Sequence, residues 1–320
     1  MKGVFLDTAS MGDGLDFDHL SAVLTSISYH PVTPPNQIQE QLAGAEVAIV
    51  NKVVLGKAEF EQCPDLKLIA VTATGTNNID LEAAKKAGVR VCNVIRYGRP
   101  TIVQHTFSLL LALSNNLMKY HADVQSGRWN NSPVFCLMDH PIQELEGKTL
   151  GIIGFGDLGQ GVAKMAEAFG MHVVLGTRPG QAAGVEGGYP RLPLCEFLPK
   201  IDVLSLHCLL SDNTRNLIDA TALAQMKPSA LLINVARGGL VDEQALAHAL
   251  RAGKLAGAAM DVLTEEPPRN GNILLSGDIP NLIITPHCAW ASQQARQRLV
   301  DKTAQNIKQF IDGNLDRFIV

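Results

Sequence analysis

The 320-residue sequence predicts an α/β protein built of two Rossmann-like, doubly wound parallel-sheet domains. Three observations carry that expectation. Short β-branched runs alternate with amphipathic stretches along most of the chain, the pattern of parallel strands joined by crossover helices. A glycine-rich turn near the middle separates one such run from a helix of small and apolar residues. The length also exceeds the usual span of one hydrophobic core, which favours two domains.

Taken in order, Met1-Lys2-Gly3-Val4-Phe5-Leu6-Asp7 reads as a first strand over 3–6 and lacks the apolar core and cleavage site of a secretory signal. Further strands are expected over 47–49, 68–71 and 89–91, with a helix over 82–87 closed by Gly88, together forming one open sheet. A long apolar-rich helix over 101–120 follows, and then an irregular stretch over 129–145 containing Pro133 and Pro141, which reads as the domain junction. A second strand series begins at 149–153 and continues through 173–175, 203–206, 231–235, 257–262 and 282–284. Residues 292–312 place Ala295, Leu299, Thr303, Ile307 and Phe310 at helical spacing, and this helix is expected to pack back on the first domain.

Hydrophobic residues make up 46% and charged residues 18% of the chain, an ordinary globular composition. The formal charge of -4 and the lack of any Lys/Arg-dense block argue against a nucleic-acid partner. No 18-residue apolar run suggests a membrane span. Cys63, Cys92, Cys136, Cys195, Cys208 and Cys288 show neither CxxC nor Cys/His ligand spacing, so the expectation is no metal site and reduced cytoplasmic thiols.

Gly154-Phe155-Gly156-Asp157-Leu158-Gly159 follows the strand over 149–153 and opens the helical stretch 162–169. In such a turn the first glycine permits the bend, the second lets backbone amides approach a pyrophosphate, and the third lets helix pack on strand. The phosphates then meet free N–H groups and the positive end of a helix dipole. The alternative is a glycine turn without a ligand; its placement between strand and helix favours dinucleotide binding. The following strand ends in Gly176-Thr177-Arg178, where an Asp or Glu would hold the ribose 2′-hydroxyl of NAD. No acid is present, and Arg178 can pair with a 2′-phosphate, which leaves NAD and NADP both open.

Arg237, Glu266 and His287 each follow a predicted strand of the second series, and ligands bind outside the carboxyl ends of strands in open α/β sheets. Their segments carry a resemblance. Asn234-Val-Ala-Arg-Gly-Gly-Leu-Val-Asp242, Met260-Asp-Val-Leu-Thr-Glu-Glu-Pro267 and Thr285-Pro-His-Cys-Ala-Trp-Ala-Ser292, with the glycine turn, are similar to motifs of the D-isomer-specific 2-hydroxyacid dehydrogenases. The similarity covers nearly the whole chain. Thr72-Ala-Thr-Gly-Thr-Asn-Asn-Ile-Asp80, Val103-Gln-His-Thr-Phe107 and Ala289-Trp290-Ala291 look most like the hydroxypyruvate reductases, or glycerate dehydrogenases, within that family.

The resemblance implies a division into a discontinuous substrate-binding domain, 1–100 plus 288–320, and a dinucleotide-binding domain, 101–287, with the active-site cleft between them. It implies that Arg237 binds the substrate carboxylate and polarises its keto oxygen, that His287 exchanges the proton, and that Glu266 orients the His287 ring and supports its protonated form. It places Thr74, Gly75, Thr76 and Trp290 around the substrate, and Thr106, His207, Thr214, Ala236 and Asp261 around the cofactor, with Asp261 on the nicotinamide carboxamide. His207 reads equally as a structural histidine, and His105 as a packed one. Gln104 stands where many relatives carry Glu. A homodimer is implied, with 101–120 and the stretch from Trp129 as the contact surface.

The reaction implied is hydride transfer between NAD(P)H and a small 2-keto or 2-hydroxy acid, hydroxypyruvate/D-glycerate or glyoxylate/glycolate. Alternatives on the same scaffold are D-3-phosphoglycerate dehydrogenase, for which Lys52 and Arg96 are candidate phosphate groups, and a dinucleotide-sensing corepressor. Formate dehydrogenases of this scaffold replace the Glu of the pair by Gln, so Glu266 argues against that activity.

Overall fold

A computed structural model describes residues 1–314 and 318–320. The chain divides into two compact units, Met1–Gly98 with Ala291–Val320, and Arg99–Trp290. Both are α/β with largely parallel sheets, the class that the alternation of runs predicts.

In the first unit the strands are β1 (Lys2–Phe5), β2 (Ser26–Tyr29), β3 (Val47–Val50), β4 (Leu68–Val71) and β5 (Arg90–Asn93). They pair in the order β2-β1-β3-β4-β5, all parallel. β3 and β4 are buried at every position, as strands covered on both faces must be, and so they read as continuous apolar runs. β2 does not read as a strand in the sequence. It lies at the sheet edge, three of its four residues are exposed, and its Ser-Ile-Ser-Tyr composition carries no apolar run.

The helix Leu81–Ala87 starts on Asp80, whose carboxylate accepts the Ala83 amide at 2.9 Å, and stops at Gly88 in a left-handed conformation. The helix Gln293–Ile311 starts on Ser292, whose hydroxyl accepts the Ala295 amide. It buries Ala295, Leu299, Thr303 and Ile307 as one stripe and packs against helix Asp18–Val23 and β4. The first unit is thereby discontinuous in sequence.

In the second unit the strands are β6 (Thr149–Ile153), β7 (His172–Gly176), β8 (Gly184–Glu186), β9 (Tyr189–Leu192), β10 (Val203–Leu206), β11 (Leu231–Asn234), β12 (Gly257–Met260) and β13 (Leu282–Ile284). Their order is β13-β12-β11-β10-β6-β7-β9-β8, parallel except for β8 against β9. The order reverses at β6, which has β7 on one side and β10 on the other, so the turn after β6 sits at the switch point where ligands of such sheets bind. The β8/β9 hairpin escapes sequence reading because Gly184, Gly187, Gly188 and Pro190 interrupt any strand-like run.

The helix predicted over 101–120 is two helices, Arg99–Ser114 and Leu117–Gln125. Asn116 takes a φ of 48°, and its side-chain amide donates to the Pro141 carbonyl at 2.6 Å. The Asn115 amide side chain folds back on the Leu111 carbonyl. Asparagine tolerates the left-handed region better than most residues, so Ser114-Asn115-Asn116 stops one helix and starts another. The first of the two packs Val103, Phe107, Leu110 and Leu113 on one face of the sheet, in a cluster with Leu150, Ile152 and Val162. The opposite face is covered by a second cluster that includes Phe197, Leu204 and Leu246. Among the described residues, no helix is long and apolar enough to cross a membrane.

Candidate active site

The glycine turn is shaped by three different demands. Gly154 has a φ of 100°, and a Cβ there would lie 2.5 Å from the His207 carbonyl carbon and the Cys208 amide, so the turn is pressed on the end of β10. A Cβ on Gly159 would lie 2.1 Å from the Gly154 carbonyl oxygen, so the helix Asp157–Ala168 seats directly on the turn. A Cβ on Gly156 would meet nothing within 4 Å. Gly156 is the N-cap and offers no side-chain cap, and the first amide of this helix with a backbone acceptor is that of Gln160. The amides of Asp157, Leu158 and Gly159 thus form an open cradle for an anion, the feature a dinucleotide pyrophosphate requires.

Around the cradle, the Phe155 ring stacks edge-on against Tyr189, and Arg99 lies 3.4 Å from the Asp157 carboxylate. Thr177 is buried, with its amide on the Leu192 carbonyl; the Arg178 amide donates to Gln181. Burial pushes the Cys208 thiol up, and the positive charge of Arg178 opposes that shift.

His207 follows β10. Its Nε2 lies 2.8 Å from Ser205 Oγ, while Nδ1 is buried without a protein partner. Burial pushes the imidazole down to about 4, so the ring is neutral. Thr106 and Thr214 commit their hydroxyls to the protein itself. Thr106 donates to the Ile102 carbonyl at 2.7 Å, and Thr214 accepts the Ser211 amide and donates to the Leu209 carbonyl, both at 2.8 Å.

Three loops at the carboxyl ends of β11, β12 and β13 carry Arg237, Glu266 and His287. The first is built by the buried Asn234, whose side chain accepts the Ala236 amide at 3.0 Å and donates to the Arg237 carbonyl at 2.9 Å. Arg237 then donates from Nη1 to the Ala236 carbonyl at 2.7 Å, which fixes its guanidinium. Gly238 lies flush on the next loop: a Cβ there would fall 2.0 Å from the Leu263 carbonyl carbon. The Leu263 amide donates to Glu266 Oε1 at 2.8 Å, and Glu266 Oε2 lies 2.6 Å from His287 Nδ1. One chain of contacts therefore joins all three loops.

His287 itself has a φ of 52°, a left-handed conformation that only a few per cent of non-glycine residues adopt, asparagine, aspartate and histidine most often. Its amide donates to the Asp261 carbonyl at 2.7 Å. The Asp261 carboxylate accepts the Cys288 and Ala289 amides, both at 2.9 Å, and the Thr285 hydroxyl at 2.5 Å. Burial would raise the Asp261 carboxyl, but hydrogen bonds from His105, Thr285, Ala289 and Cys288 outweigh it and hold the group below its ordinary value. Asp261 is 1% exposed, and its carboxylate is held by the His287 loop. Asn234 and Thr285 are not legible in the sequence as loop builders, since the Asn234 contacts form only in the folded loop and Thr285 meets Asp261 only when the strand ends come together.

Thr74, Gly75 and Thr76 belong to the first unit, in the loop after β4. The Thr74 hydroxyl donates to the Val94 carbonyl at 2.8 Å and Asn93 holds the Thr74 carbonyl at 2.6 Å. Among the described residues, the amides of all three have no protein acceptor. Trp290 is the last residue of the second unit and is half-buried.

The family model "D-isomer specific 2-hydroxyacid dehydrogenase, NAD binding domain" matches residues 107–289, the stretch that holds the glycine turn and all three loops. The chain belongs to this family. It is 46% identical to a glycerate dehydrogenase of Methylorubrum extorquens, over 98% of this chain and 96% of that one. It is 35% identical to a hydroxypyruvate reductase of Blautia hydrogenotrophica, over 98% of each. Among solved structures, an acyclic imino acid reductase in complex with NADPH and D-Arg superposes with a TM-score of 0.85 at 26% identity, over 100% of both chains. As a D-isomer-specific 2-hydroxyacid dehydrogenase, the chain is an NAD-linked oxidoreductase acting on CH–OH donors.

Proposed function

We propose that the enzyme interconverts a short, unphosphorylated 2-keto acid and its D-2-hydroxy acid, with hydroxypyruvate/D-glycerate or glyoxylate/glycolate as the pair. The observation that carries this reading is the His287–Glu266 contact, a proton-exchanging ring locked to a carboxylate that is itself fixed by a backbone amide. The relatives named for glycerate and hydroxypyruvate point to the same substrate class.

Bound NAD(H) or NADP(H) supplies or accepts the hydride at the substrate C2. The amides of Asp157, Leu158 and Gly159 receive its pyrophosphate, with Phe155 and Ala236 beside it. Arg178 receives a 2′-phosphate, which makes NADPH a usable donor; the absence of an acid at this position supports that choice. Arg237 holds the substrate carboxylate and polarises the keto oxygen; Thr74, Gly75 and Thr76 offer backbone amides without a protein acceptor, donors of the kind a carboxylate takes. His287 gives its Nε2 proton to the developing alkoxide in reduction and takes it back in oxidation, while Glu266 holds Nδ1 and the charge that the ring gains.

The test is a matrix of hydroxypyruvate, glyoxylate, pyruvate and 3-phosphohydroxypyruvate against NADH and NADPH. Hydroxypyruvate or glyoxylate is expected to give the highest kcat/KM; a clear preference for the phosphorylated acid would replace this reading with D-3-phosphoglycerate oxidation.

The enzyme acts as a homodimer in the cytoplasm. Six cysteines without a disulfide support the compartment. The dimer is supported by the stretch 117–142, where Leu117, Met118, Trp129, Phe135, Met138 and Ile142 are all exposed, Phe135 at 88% and Met138 at 84%. A Phe135→Ser/Met138→Ser double variant that still sediments at the wild-type mass would remove this surface from the interface.

A further inference from the structure

We propose that His105, Asp261 and Cys288 form a binding site for a thiophilic divalent cation of the zinc class, and that filling it disables the neighbouring His287 loop. The three side chains come from helix Arg99–Ser114, the end of β12 and the loop after β13. Their ligand atoms, an imidazole nitrogen, a carboxylate oxygen and a sulfur, all lie within 4.8 Å of one another. His105 Nε2 is 3.5 Å from Asp261 Oδ1. Ligands of a tetrahedral zinc, each about 2.0–2.3 Å from the metal, stand about 3.3–3.6 Å apart, so this pair is already at coordinating separation. The sequence hides the site because its ligands are scattered far beyond any local motif spacing.

The donor set selects the metal. One thiolate and one imidazole beside a single carboxylate favour zinc and its neighbours, whereas magnesium and calcium require oxygen ligands. Charge balances as well. Asp261 brings one negative charge, Cys288 binds as the thiolate with its proton leaving to solvent, and His105 binds through neutral Nε2, so a divalent ion is neutralised. His105 and Cys288 are half-buried, which leaves a solvent side for entry and for a water as fourth ligand.

At present the Thr285 hydroxyl bridges the cluster, 3.1 Å from His105 Nε2 and 2.5 Å from Asp261 Oδ1. A cation would take the same lone pairs. Asp261 Oδ1 would then have to release the Thr285 hydroxyl or the Cys288 amide, the bonds that hold the loop with His287 in its left-handed conformation. The 2.6 Å contact of His287 with Glu266 depends on that loop. Binding stands apart from the proposed function, whereas the loss of activity rests on His287 being the proton donor.

The test uses the full-length protein after treatment with a chelator. Titration with Zn²⁺ is expected to show one equivalent bound, and Co²⁺ to give a thiolate-to-cobalt charge-transfer band. Cys288→Ser and His105→Gln should each abolish that band and weaken zinc binding by more than the roughly 10-fold that loss of a supporting contact costs. Cys288→Ala provides the same readout should the serine variant fold poorly. Zinc should stop wild-type turnover, Mg²⁺ should not, and Cys288→Ser should turn over normally with or without zinc. Absent binding, or binding unchanged in both His105→Gln and the Cys288 variants, overturns the site and leaves the role of His287 untouched. Binding that the variants abolish, with wild-type turnover unaffected, overturns the coupling alone, while the role of His287 is decided separately by the turnover of His287→Ala.

Discussion

His287 Nδ1 lies 2.6 Å from Glu266 Oε2, while the other oxygen of that carboxylate accepts the Leu263 amide at 2.8 Å. The carboxylate cannot turn without losing one of these bonds, so it sets the plane of the imidazole and leaves Nε2 as the nitrogen that faces away from it. The two residues act as a unit, and their variants should differ in kind. With His287 in the proposed proton-exchanging role, His287→Ala is expected to lower kcat by about 10²-fold to 10⁴-fold. Glu266→Gln keeps the shape and removes the charge; a charge-assisted bond of about 1.5–3 kcal/mol corresponds to a fall of roughly 10-fold to 100-fold in kcat with KM little changed. Steady-state kinetics on both variants decides, and near-normal turnover of His287→Ala would remove it from the reaction.

Arg237 is fixed by its own backbone through Ala236, so its fork is presented with little freedom. Lysine offers a point charge with no second donor in that plane. Arg237→Lys should therefore lower kcat/KM by about 10-fold to 100-fold, the loss of one charge-assisted bond to the substrate carboxylate. A variant as efficient as the parent would mean that Arg237 does not contact substrate.

Gly156 and Gly159 separate binding from folding. At Gly156 a methyl group would meet no protein atom within 4 Å, so Gly156→Ala should fold with an unchanged melting temperature yet bind dinucleotide more weakly, because the methyl group intrudes on the cradle. At Gly159 the same change would put a Cβ 2.1 Å from the Gly154 carbonyl oxygen and should destabilise the protein itself. Thermal unfolding alongside cofactor titration tests both; equal melting temperatures for the two variants would contradict the packing described for the turn.

For cofactor choice, Arg178→Ala should raise the KM for NADPH by roughly 10-fold to 100-fold and leave that for NADH nearly unchanged, the signature of one lost charge-assisted contact. An unaltered NADPH to NADH ratio would show that the guanidinium does not meet the 2′-phosphate.

The buried His207 makes stability sensitive to acid. Its imidazole is pushed down to about 4 by burial from an ordinary 6.5. Below pH 6.5 the unfolded chain takes up a proton that the folded one refuses, so stability falls as pH drops, until the folded ring also protonates near pH 4. The difference corresponds to about 3 kcal/mol across that window. His207→Asn removes the titrating group, and urea melts at several pH values between these limits should show a flatter acid limb than wild type.

Much of this molecule is legible from the chain alone. β3, β4, β6, β10 and β11 are covered on both faces and therefore appear as short apolar runs, and the glycine turn is readable because backbone geometry dictates its residue types one by one. β2 and the β8/β9 hairpin are edge elements with polar or glycine-rich composition, so their pairing leaves no trace in hydrophobicity. The break in the helix expected over 101–120 is not legible, because asparagine permits a left-handed φ without requiring it, and the Pro141 carbonyl that holds Asn116 is brought up only by the fold.

The buried strands and the presence of Arg237, Glu266 and His287 after three strand ends are thus properties of the sequence, since local propensity and periodicity act within a few residues. Tertiary structure alone decided how these groups meet. Asp261 clamps the His287 loop, and His105, Thr285 and Cys288 gather around it, because hydrogen-bond partners separated by 24 to 180 positions are matched only when the sheet brings the strand ends together.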